Sequence, residues 1–298
     1  MSERLFEEAF LRKLERLALL SRKATLGQSQ GERRSPKRGQ SVEFSDFRPY
    51  VSGDDIRRID WNAYARLERF FIKLFVEEED LTVHFLIDNS KSMDWGKPNK
   101  LEYGIRAAGA LGYVALVGLD RVTMTALGEN GGGVNTYFPP ARGKAQALEL
   151  FSFLLSLISK SRRSRFDPAQ RLNNYAANAI RTGPLIIISD LMDDGWNEGV
   201  NSLAARGFEI SILHLLSPDE NHPELEGDIK LLDSEINHDI EITADFEILE
   251  KYQQYLAEWK GSWHRFCNVR GIHYIPFDTS VSLDELLFAW LRNKGVLK

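Results

Sequence analysis

Short, strongly hydrophobic runs alternate with longer amphipathic segments over most of the chain. The two most apolar runs cover residues 83–87 and 184–189, and each is followed by an aspartate, Asp88 and Asp190. Short, continuously apolar runs are typical of parallel strands buried on both faces, because crossover helices cover the sheet from both sides. The pattern predicts an α/β fold of the Rossmann-like type over residues 81–298, with a mostly parallel central sheet and helices on both faces.

The segments between and after these two runs have the periodicities of helices and of further strands. Apolar residues that recur every three or four positions indicate helices packed on the sheet, and short β-branched or aromatic runs indicate strands. Helices are predicted at 100–119, 144–160, 168–181, 196–206, 246–269 and 283–292, and further strands at 121–127, 134–138, 208–215 and 271–277.

Two antiparallel strand pairs are also expected. The polar stretch 219–245 contains two short β-rich runs, which indicate a hairpin inserted into the domain. A β-rich run at 69–76 is separated by a short acidic break from the strand at 81–87, so these two segments are expected to pair.

The chain before residue 81 differs in character from the predicted sheet domain. Residues 3–20 form an amphipathic pattern that predicts a helix, which either docks on the domain or binds a partner. The stretch 21–41 is basic and rich in Gly and Ser, as in a flexible linker. We therefore divide the chain into an N-terminal helix with a linker at 1–41, an extension at 42–80 and the α/β domain.

The extension at 42–80 is dense in arginine, aspartate and aromatic residues. Arginine stacks on aromatic faces and pairs with carboxylates through its planar fork, so such a segment either clasps the main domain or recognises a partner. On the second interpretation, the candidate partner-binding residues are Arg48, Tyr50, Asp54, Asp55, Arg57, Trp61 and Arg66.

Composition narrows the cellular setting and the partner classes. The 298 residues carry a formal net charge of −5, which argues against a chain whose main role is to bind nucleic acid. A single cysteine, Cys267, rules out an intramolecular disulfide and favours the reducing cytoplasm. The longest near-apolar run, 107–119, is shorter than the roughly 20 residues that span a bilayer, so no transmembrane segment is expected.

The candidate functional residues lie where the two most apolar strands end. The carboxyl ends of parallel strands form the binding edge of an open α/β sheet, so Asp88 and Asp190 are expected to lie close together there. Ser90 and Ser92 add two hydroxyls at alternate positions. This all-oxygen set suits a hard cation, Mg²⁺ or else Mn²⁺ or Ca²⁺. The alternative is that these residues simply cap a helix, since Asp and Ser are favoured at helix starts.

The pattern Asp88-x-Ser90-x-Ser92 after a buried strand, with Asp190 after a later one, resembles the metal-ion-dependent adhesion site (MIDAS) of von Willebrand factor A domains. The blocks 47–50, 53–55 and 57–66 look like the signature of domain-of-unknown-function family fifty-eight. That resemblance implies a sheet order of 3-2-1-4-5-6 and a partnership with a MoxR-type AAA+ ATPase acting on a protein client. Many members have N-terminal transmembrane helices, and this chain looks like the short soluble form.

One position departs from the adhesion-site pattern. Such sites take a threonine from a loop between the two motif strands, and this chain has no threonine between Thr136 and Thr182. The loop expected to supply the ligand offers Ser164, which retains a hydroxyl, or Asp167, which adds a third carboxylate. A third carboxylate would make a bound metal less electrophilic.

These observations predict a non-enzymatic adaptor, a protein-interaction module that binds metal. No P-loop spacing occurs, so ATP hydrolysis by this chain is not expected. One alternative is a scaffold whose metal site is vestigial. Another is a Mg²⁺-dependent phosphohydrolase with Asp88 as nucleophile, but Ser90 stands where such enzymes need a second aspartate.

Overall fold

The computed structural model describes residues 5–17, 42–51, 54–56, 59–77, 81–128, 136–158, 166–223, 225, 227–232, 239–244 and 246–291. These residues fall into two compact units. The smaller unit is drawn from residues 26–80, and the larger one from residues 1–25 together with 81–298.

The larger unit alternates strands and helices in the manner expected of an α/β fold. Its helices are α1 (Glu8–Leu14), α3 (Lys100–Val117), α4 (Ala147–Ile158), α5 (Pro168–Asn178), α6 (Trp196–Arg206), α7 (Pro218–Asn221), α8 (Phe246–Arg270) and α9 (Leu283–Glu285), whereas α2 (Trp61–Leu67) belongs to the smaller unit. The strands in chain order are β1 (Val42–Pro49), β2 (Phe71–Glu77), β3 (Thr82–Ile87), β4 (Arg121–Ala126), β5 (Tyr137–Arg142), β6 (Pro184–Ser189), β7 (Glu209–Leu216), β8 (Gly227–Leu232), β9 (Asp239–Ala244) and β10 (His273–Asp278).

Six strands form the central sheet, in the order β10-β7-β6-β3-β4-β5. All neighbouring pairs are parallel except β4 and β5, which pair antiparallel at one edge. If these six strands are numbered 1 to 6 in chain order, the order read from the β5 edge is 3-2-1-4-5-6, as expected. The mixed α/β, Rossmann-like fold predicted from the alternation of strands and helices is confirmed.

The predicted pairing between the segments 69–76 and 81–87 is wrong. β2 pairs antiparallel with β1. β3 is hydrogen-bonded on one side to β4 and on the other to β6, so it has no edge left for β2. Every residue of β3 is buried, as a central strand requires.

Helices cover both faces of the sheet. Helices α3 and α4 pack over one face with Val83, Phe85 and Ile87 of β3 beneath them. Helices α5, α6 and α8 contribute to the core on the other face. Alternation along β3 places the side chains of His84 and Leu86 toward this second face.

Helix α1 belongs to the first of these cores. Leu14 is fully buried, and the Phe6 ring meets that of Phe151 edge-on at 5.3 Å between centroids. The amphipathic pattern at the N-terminus therefore reflects docking on the larger unit. The observed helix is shorter than the predicted 3–20, and residues 3–4 and 18–20 lie outside the described part of the chain.

The predicted inserted hairpin is present as β8 and β9, which pair antiparallel from Gly227↔Ala244 to Leu232↔Asp239. Among the described residues, no helix combines the length and the apolar character needed to cross a membrane.

The smaller unit is an antiparallel pair of strands with α2 between them in sequence. Asp60 caps α2 by accepting hydrogen bonds from the backbone N–H groups of Asn62 and Ala63. The Tyr64 and Phe70 rings stack with their centroids 4.4 Å apart. Local capping and stacking thus account for part of the aromatic and acidic density seen in the sequence.

Candidate functional site

The two predicted aspartates lie at the carboxyl ends of neighbouring strands. Asp88 follows β3 and Asp190 follows β6, and the two strands pair in parallel. The chain proceeds from β3 to β4 on one side and β6 lies on the other side, so this is the switch point at which α/β sheets bind ligands. Both carboxyl groups are almost completely buried.

Asp88 is held by neutral donors. Its Oδ1 accepts a hydrogen bond from the backbone N–H of Ser90 at 2.9 Å, and its Oδ2 accepts one from the Ser189 hydroxyl at 2.6 Å. Burial, with a smaller contribution from the charge of Asp190, raises the pKa of Asp88 to about 7. A cation beside Asp88 would favour its ionised form.

The turn after Asp88 carries the two predicted hydroxyls. The Oγ atoms of Ser90 and Ser92 are 2.9 Å apart, with Ser90 fully buried and Ser92 partly exposed. The Asn89 side chain accepts a hydrogen bond from the backbone N–H of Gly128 at 2.7 Å, which ties the turn to the end of β4. The hydroxyl pair therefore lies on a fixed turn, with Ser92 on its solvent side.

Lys100 was not among the residues predicted from the sequence, yet it lies within this site. Its fully buried Nζ donates to Asp190 Oδ2 at 2.8 Å and to Glu220 Oε1 at 2.5 Å. Glu220 in turn accepts from the backbone N–H of Ser217 at 2.7 Å, as part of the capping box of α7. One feature could have indicated that Lys100 is paired. It is the first residue of α3, where the helix dipole disfavours a cation that has no counterion.

The site combines three carboxyl groups with one buried ammonium. A divalent cation would balance the two remaining negative charges once Asp88 is ionised. The oxygens available to it are those of Asp88, the hydroxyls of Ser90 and Ser92, and Asp190 Oδ1. That last atom accepts a long 3.3 Å hydrogen bond from the Met192 N–H. These hard donors fit Mg²⁺, although Lys100 already takes the other Asp190 oxygen.

The described residues contain no group of three or more His, Cys, Asp and Glu side chains that could hold a metal ion. Asp167 is exposed and caps α5, with Oδ1 accepting from the Gln170 N–H at 3.1 Å. It lies beside the loop that follows Asp190, because a Cβ added at Gly195 would be 3.5 Å from that oxygen. The other proposed ligand, Ser164, lies outside the described residues.

Apolar side chains are exposed in the loops that carry the site. Trp95, after β3, is 58% exposed, and Met192, after β6, is 47% exposed. Between Asp190 and Met192, Leu191 adopts a left-handed backbone with φ of 57°, a strained conformation for a residue with a branched side chain. Exposed aromatic and methionine side chains are characteristic of protein interfaces.

The candidate partner-binding residues of the smaller unit fall into two groups. Arg48 and Asp54 pair with each other through two hydrogen bonds of 2.6 Å, and Asp54 also accepts from the Val51 N–H. This fork-to-carboxylate pairing gives both residues a role inside the unit. The others are more varied in setting: Asp55, Trp61 and Arg66 are exposed, Tyr50 is partly buried, and Arg57 lies outside the described residues.

Comparison with known proteins gives a family and relatives without assigned functions. The sequence profile described as "Protein of unknown function DUF58" matches residues 46–260. Uncharacterized proteins of Mycobacterium bovis and Mycobacterium tuberculosis are 26% identical over 265 residues, which covers 87% of this chain and 82% of theirs.

Two solved structures are similar to this chain over part of its length. The conserved hypothetical protein BatB from Bacteroides thetaiotaomicron matches with a TM-score of 0.42 and 16% identity, over 72% of this chain and 98% of its own. An aerotolerance-related membrane protein from Bacteroides fragilis gives a TM-score of 0.41 and 15% identity over the same shares.

Proposed function

The chain belongs to the DUF58 family of proteins of unknown function, and we propose that it works as a non-enzymatic adaptor that binds other proteins. Its contact site is the carboxyl edge of β3 and β6. The observation that supports this proposal most directly is the combination there of a buried oxygen-donor set with exposed Trp95 and Met192.

A divalent cation, Mg²⁺ in the first instance, would be held by Asp88, Ser90, Ser92 and Asp190. Bound there, it supplies a Lewis-acidic position that can accept a carboxylate from another molecule. The hydroxyls of Ser90 and Ser92 are neutral donors, so they leave the ion with more positive charge than carboxylates would. Lys100 fixes the orientation of the Asp190 carboxylate through its 2.8 Å hydrogen bond.

The partner surface combines that ion with apolar contacts. Trp95 and Met192 offer apolar surface on the two loops that carry the site's ligands, so a partner could bury them as its acidic group approaches the metal. The family resemblance of the sequence suggests that a MoxR-type AAA+ ATPase supplies the energy and that a protein client is remodelled or assembled. This adaptor would itself turn over no substrate.

The proposed cellular setting is the cytoplasm. Cys267 lies on the buried face of α8, and burial raises the pKa of its thiol to about 12. Such a thiol is an unreactive core residue. This chemistry suits a reducing compartment and leaves Cys267 outside the adaptor's function.

A second candidate is a scaffold that recognises its partner without metal. The observation in its favour is Lys100, whose ammonium already occupies one oxygen of Asp190. In that case Trp95 and Met192 would carry the binding and chelation would not affect it.

Both candidates can be tested with a MoxR-type AAA+ ATPase from the same organism, purified and immobilised for biolayer interferometry. The full-length chain is measured with Mg²⁺ and with EDTA, as wild type, Ser92→Ala, Trp95→Ala and Val269→Ala. Val269 is the control, because it is 84% exposed just before β10 and therefore at the opposite edge of the sheet.

The metal-dependent adaptor predicts binding that EDTA abolishes, that Ser92→Ala and Trp95→Ala each weaken about tenfold, and that Val269→Ala leaves unchanged. Binding that resists EDTA and Ser92→Ala but is weakened by Trp95→Ala would favour the scaffold. Equal binding by all four proteins would contradict both.

A further inference from the structure

A cleft of about 550 Å³ lies on the face of the sheet that also carries α5. Its walls come from β3, β4 and β5 and from the C-terminal half of α5, and none of the four proposed metal-binding residues lines it. Its volume falls within the range of small-molecule sites. The cleft is therefore a separate feature of the larger unit.

One wall contains a buried histidine with an unsatisfied nitrogen. His84 is 5% exposed, and its Nδ1 lies 2.7 Å from the Tyr175 hydroxyl. Its Nε2 is buried and has no hydrogen-bond partner among the described residues. Burial lowers the pKa of His84 to about 4, so the ring is neutral at pH 7. A buried polar atom left unpaired is costly, and a bound polar group would remove that cost.

The charge of the cleft is opposite to that of the whole chain. Arg121, Arg171 and Arg181 line it, and no Asp or Glu is found among its described lining residues. The chain as a whole carries a net charge of −5, so the positive charge of the cleft is a local departure from the overall balance. Clustered arginines attract and orient carboxylates and phosphates.

The rim is apolar and partly aromatic. Tyr137 is 44% exposed and Ile180 is 96% exposed, and both line the cleft together with the partly buried ring of Tyr175. Exposed rings beside arginines suit a flat apolar group joined to an anion.

We propose that this cleft binds a small molecule that joins an aromatic ring to an anionic group, either a carboxylate or a phosphate. The arginines would bind the anion, the tyrosines would contact the ring, and His84 Nε2 would hydrogen-bond a polar atom of the molecule. This ligand is independent of the proposed metal and protein partner.

The probe for this proposal is 8-anilinonaphthalene-1-sulfonate, an aromatic anion that fluoresces on transfer to an apolar site. It is titrated into the folded full-length chain, in EDTA, as wild type, Arg171→Met, Arg181→Met and Asn174→Trp. Asn174 is exposed on α5 at the cleft wall, so a tryptophan there fills the cleft without disturbing the core. Arg265→Met, on the exposed side of α8, is the charge-matched control.

We expect saturable one-to-one binding that each cleft arginine variant weakens about tenfold, that Asn174→Trp abolishes and that Arg265→Met leaves unchanged. The uncharged analogue N-phenyl-1-naphthylamine should bind at least tenfold more weakly than the sulfonate. Circular dichroism of each variant verifies that it is folded.

Displacement of the probe then distinguishes the two anions. Phenyl phosphate and 3-phenylpropanoate are added as competitors, and displacement by either supports the proposal and identifies the preferred group. The proposal is overturned if the probe does not bind, if the arginine and Asn174→Trp variants bind it as wild type does, or if neither competitor displaces it. None of these outcomes depends on metal, so they leave the adaptor proposal unaffected.

Discussion

Lys100 is a fully buried ammonium that is paired with two carboxylates, Asp190 in the loop after β6 and Glu220 in α7. A buried charge is tolerated when its partners compensate for its lost hydration, and removing one member of such a set leaves the others uncompensated. In this site Lys100 both stabilises Asp190 and competes with any other cation for it. These two roles can be separated by experiment.

Replacing Lys100 with methionine should lower the free energy of unfolding by roughly 3 kcal/mol in EDTA, because Asp190 and Glu220 lose their shared counterion. Added Mg²⁺ should recover part of this loss, since Asp190 then offers both oxygens to the ion. Urea denaturation with and without Mg²⁺ measures both effects. The control is Lys144→Met, which removes an exposed ion pair with Glu15 and should leave the free energy of unfolding close to that of wild type.

A Lys100→Met variant as stable as wild type in EDTA would contradict the role of this ammonium as a structural counterion. Recovery by Mg²⁺ in Lys144→Met of the same size as in Lys100→Met would show that the rescue is unrelated to Asp190.

His84 makes a second residue-level prediction, on pH dependence. Its folded-state pKa of about 4 lies below the unfolded value of roughly 6.5, so the unfolded chain binds the proton first as the pH falls. The stability contribution of neutral His84 is complete above the unfolded pKa and is lost progressively down to the folded pKa. Between pH 7 and pH 5 the loss from this group should be about 2 kcal/mol.

Urea denaturation of wild type and His84→Gln at both pH values isolates this contribution, because the variant should lose about 2 kcal/mol less than wild type on acidification. The exposed His264→Gln is the control and should follow wild type. Parallel pH profiles for wild type and His84→Gln would refute the assignment.

Among the elements, α5 and α6 approach each other closely at a glycine. A Cβ added at Gly199 would lie 2.6 Å from Leu172 Cδ1 and 2.7 Å from Leu172 Cβ. Gly261 of α8 has its nearest such contact at 3.4 Å, with the flexible Arg265 side chain. The same substitution at the two positions should therefore have opposite effects.

Gly199→Ala should lower the free energy of unfolding by about 1 to 3 kcal/mol through overpacking. Gly261→Ala should raise it by up to about 1 kcal/mol, because alanine is the better helix former. Chemical denaturation of both variants measures the difference. Stabilisation by Gly199→Ala would mean that the two helices separate more readily than their packing implies.

Element type was predictable where a local pattern decided it. The apolar run at 184–189 is β6, and the proline at Pro168 begins α5 as expected of a helix N-terminus. Pairing was less predictable, because the β-rich pattern of β2 does not specify its partner. β1, about 25 residues earlier in the chain, pairs with it, while β3 is central in the sheet.

At the scale of the whole molecule, the approach of Asp88 to Asp190 could be predicted because it follows from the topology of parallel sheets. The pairing of Lys100 with Glu220 could not, since they meet across 120 residues of sequence and the capping box that contains Glu220 does not specify Lys100 as a partner. The role of Asp167 was also not predictable from the sequence, because its position is compatible with either a metal ligand or a helix cap. Its hydrogen bond from the Gln170 N–H shows that it caps α5.

The claim that the carboxyl edge of β3 and β6 holds a divalent cation is tested most directly by isothermal titration calorimetry of Mg²⁺ into the metal-free full-length chain. We predict one saturable site in wild type, an affinity reduced about tenfold or more in Ser90→Ala and in Ser92→Ala, and a wild-type isotherm for Ser262→Ala, which removes an exposed hydroxyl on α8. No saturable heat in wild type, or the same isotherm for all four proteins, would contradict it.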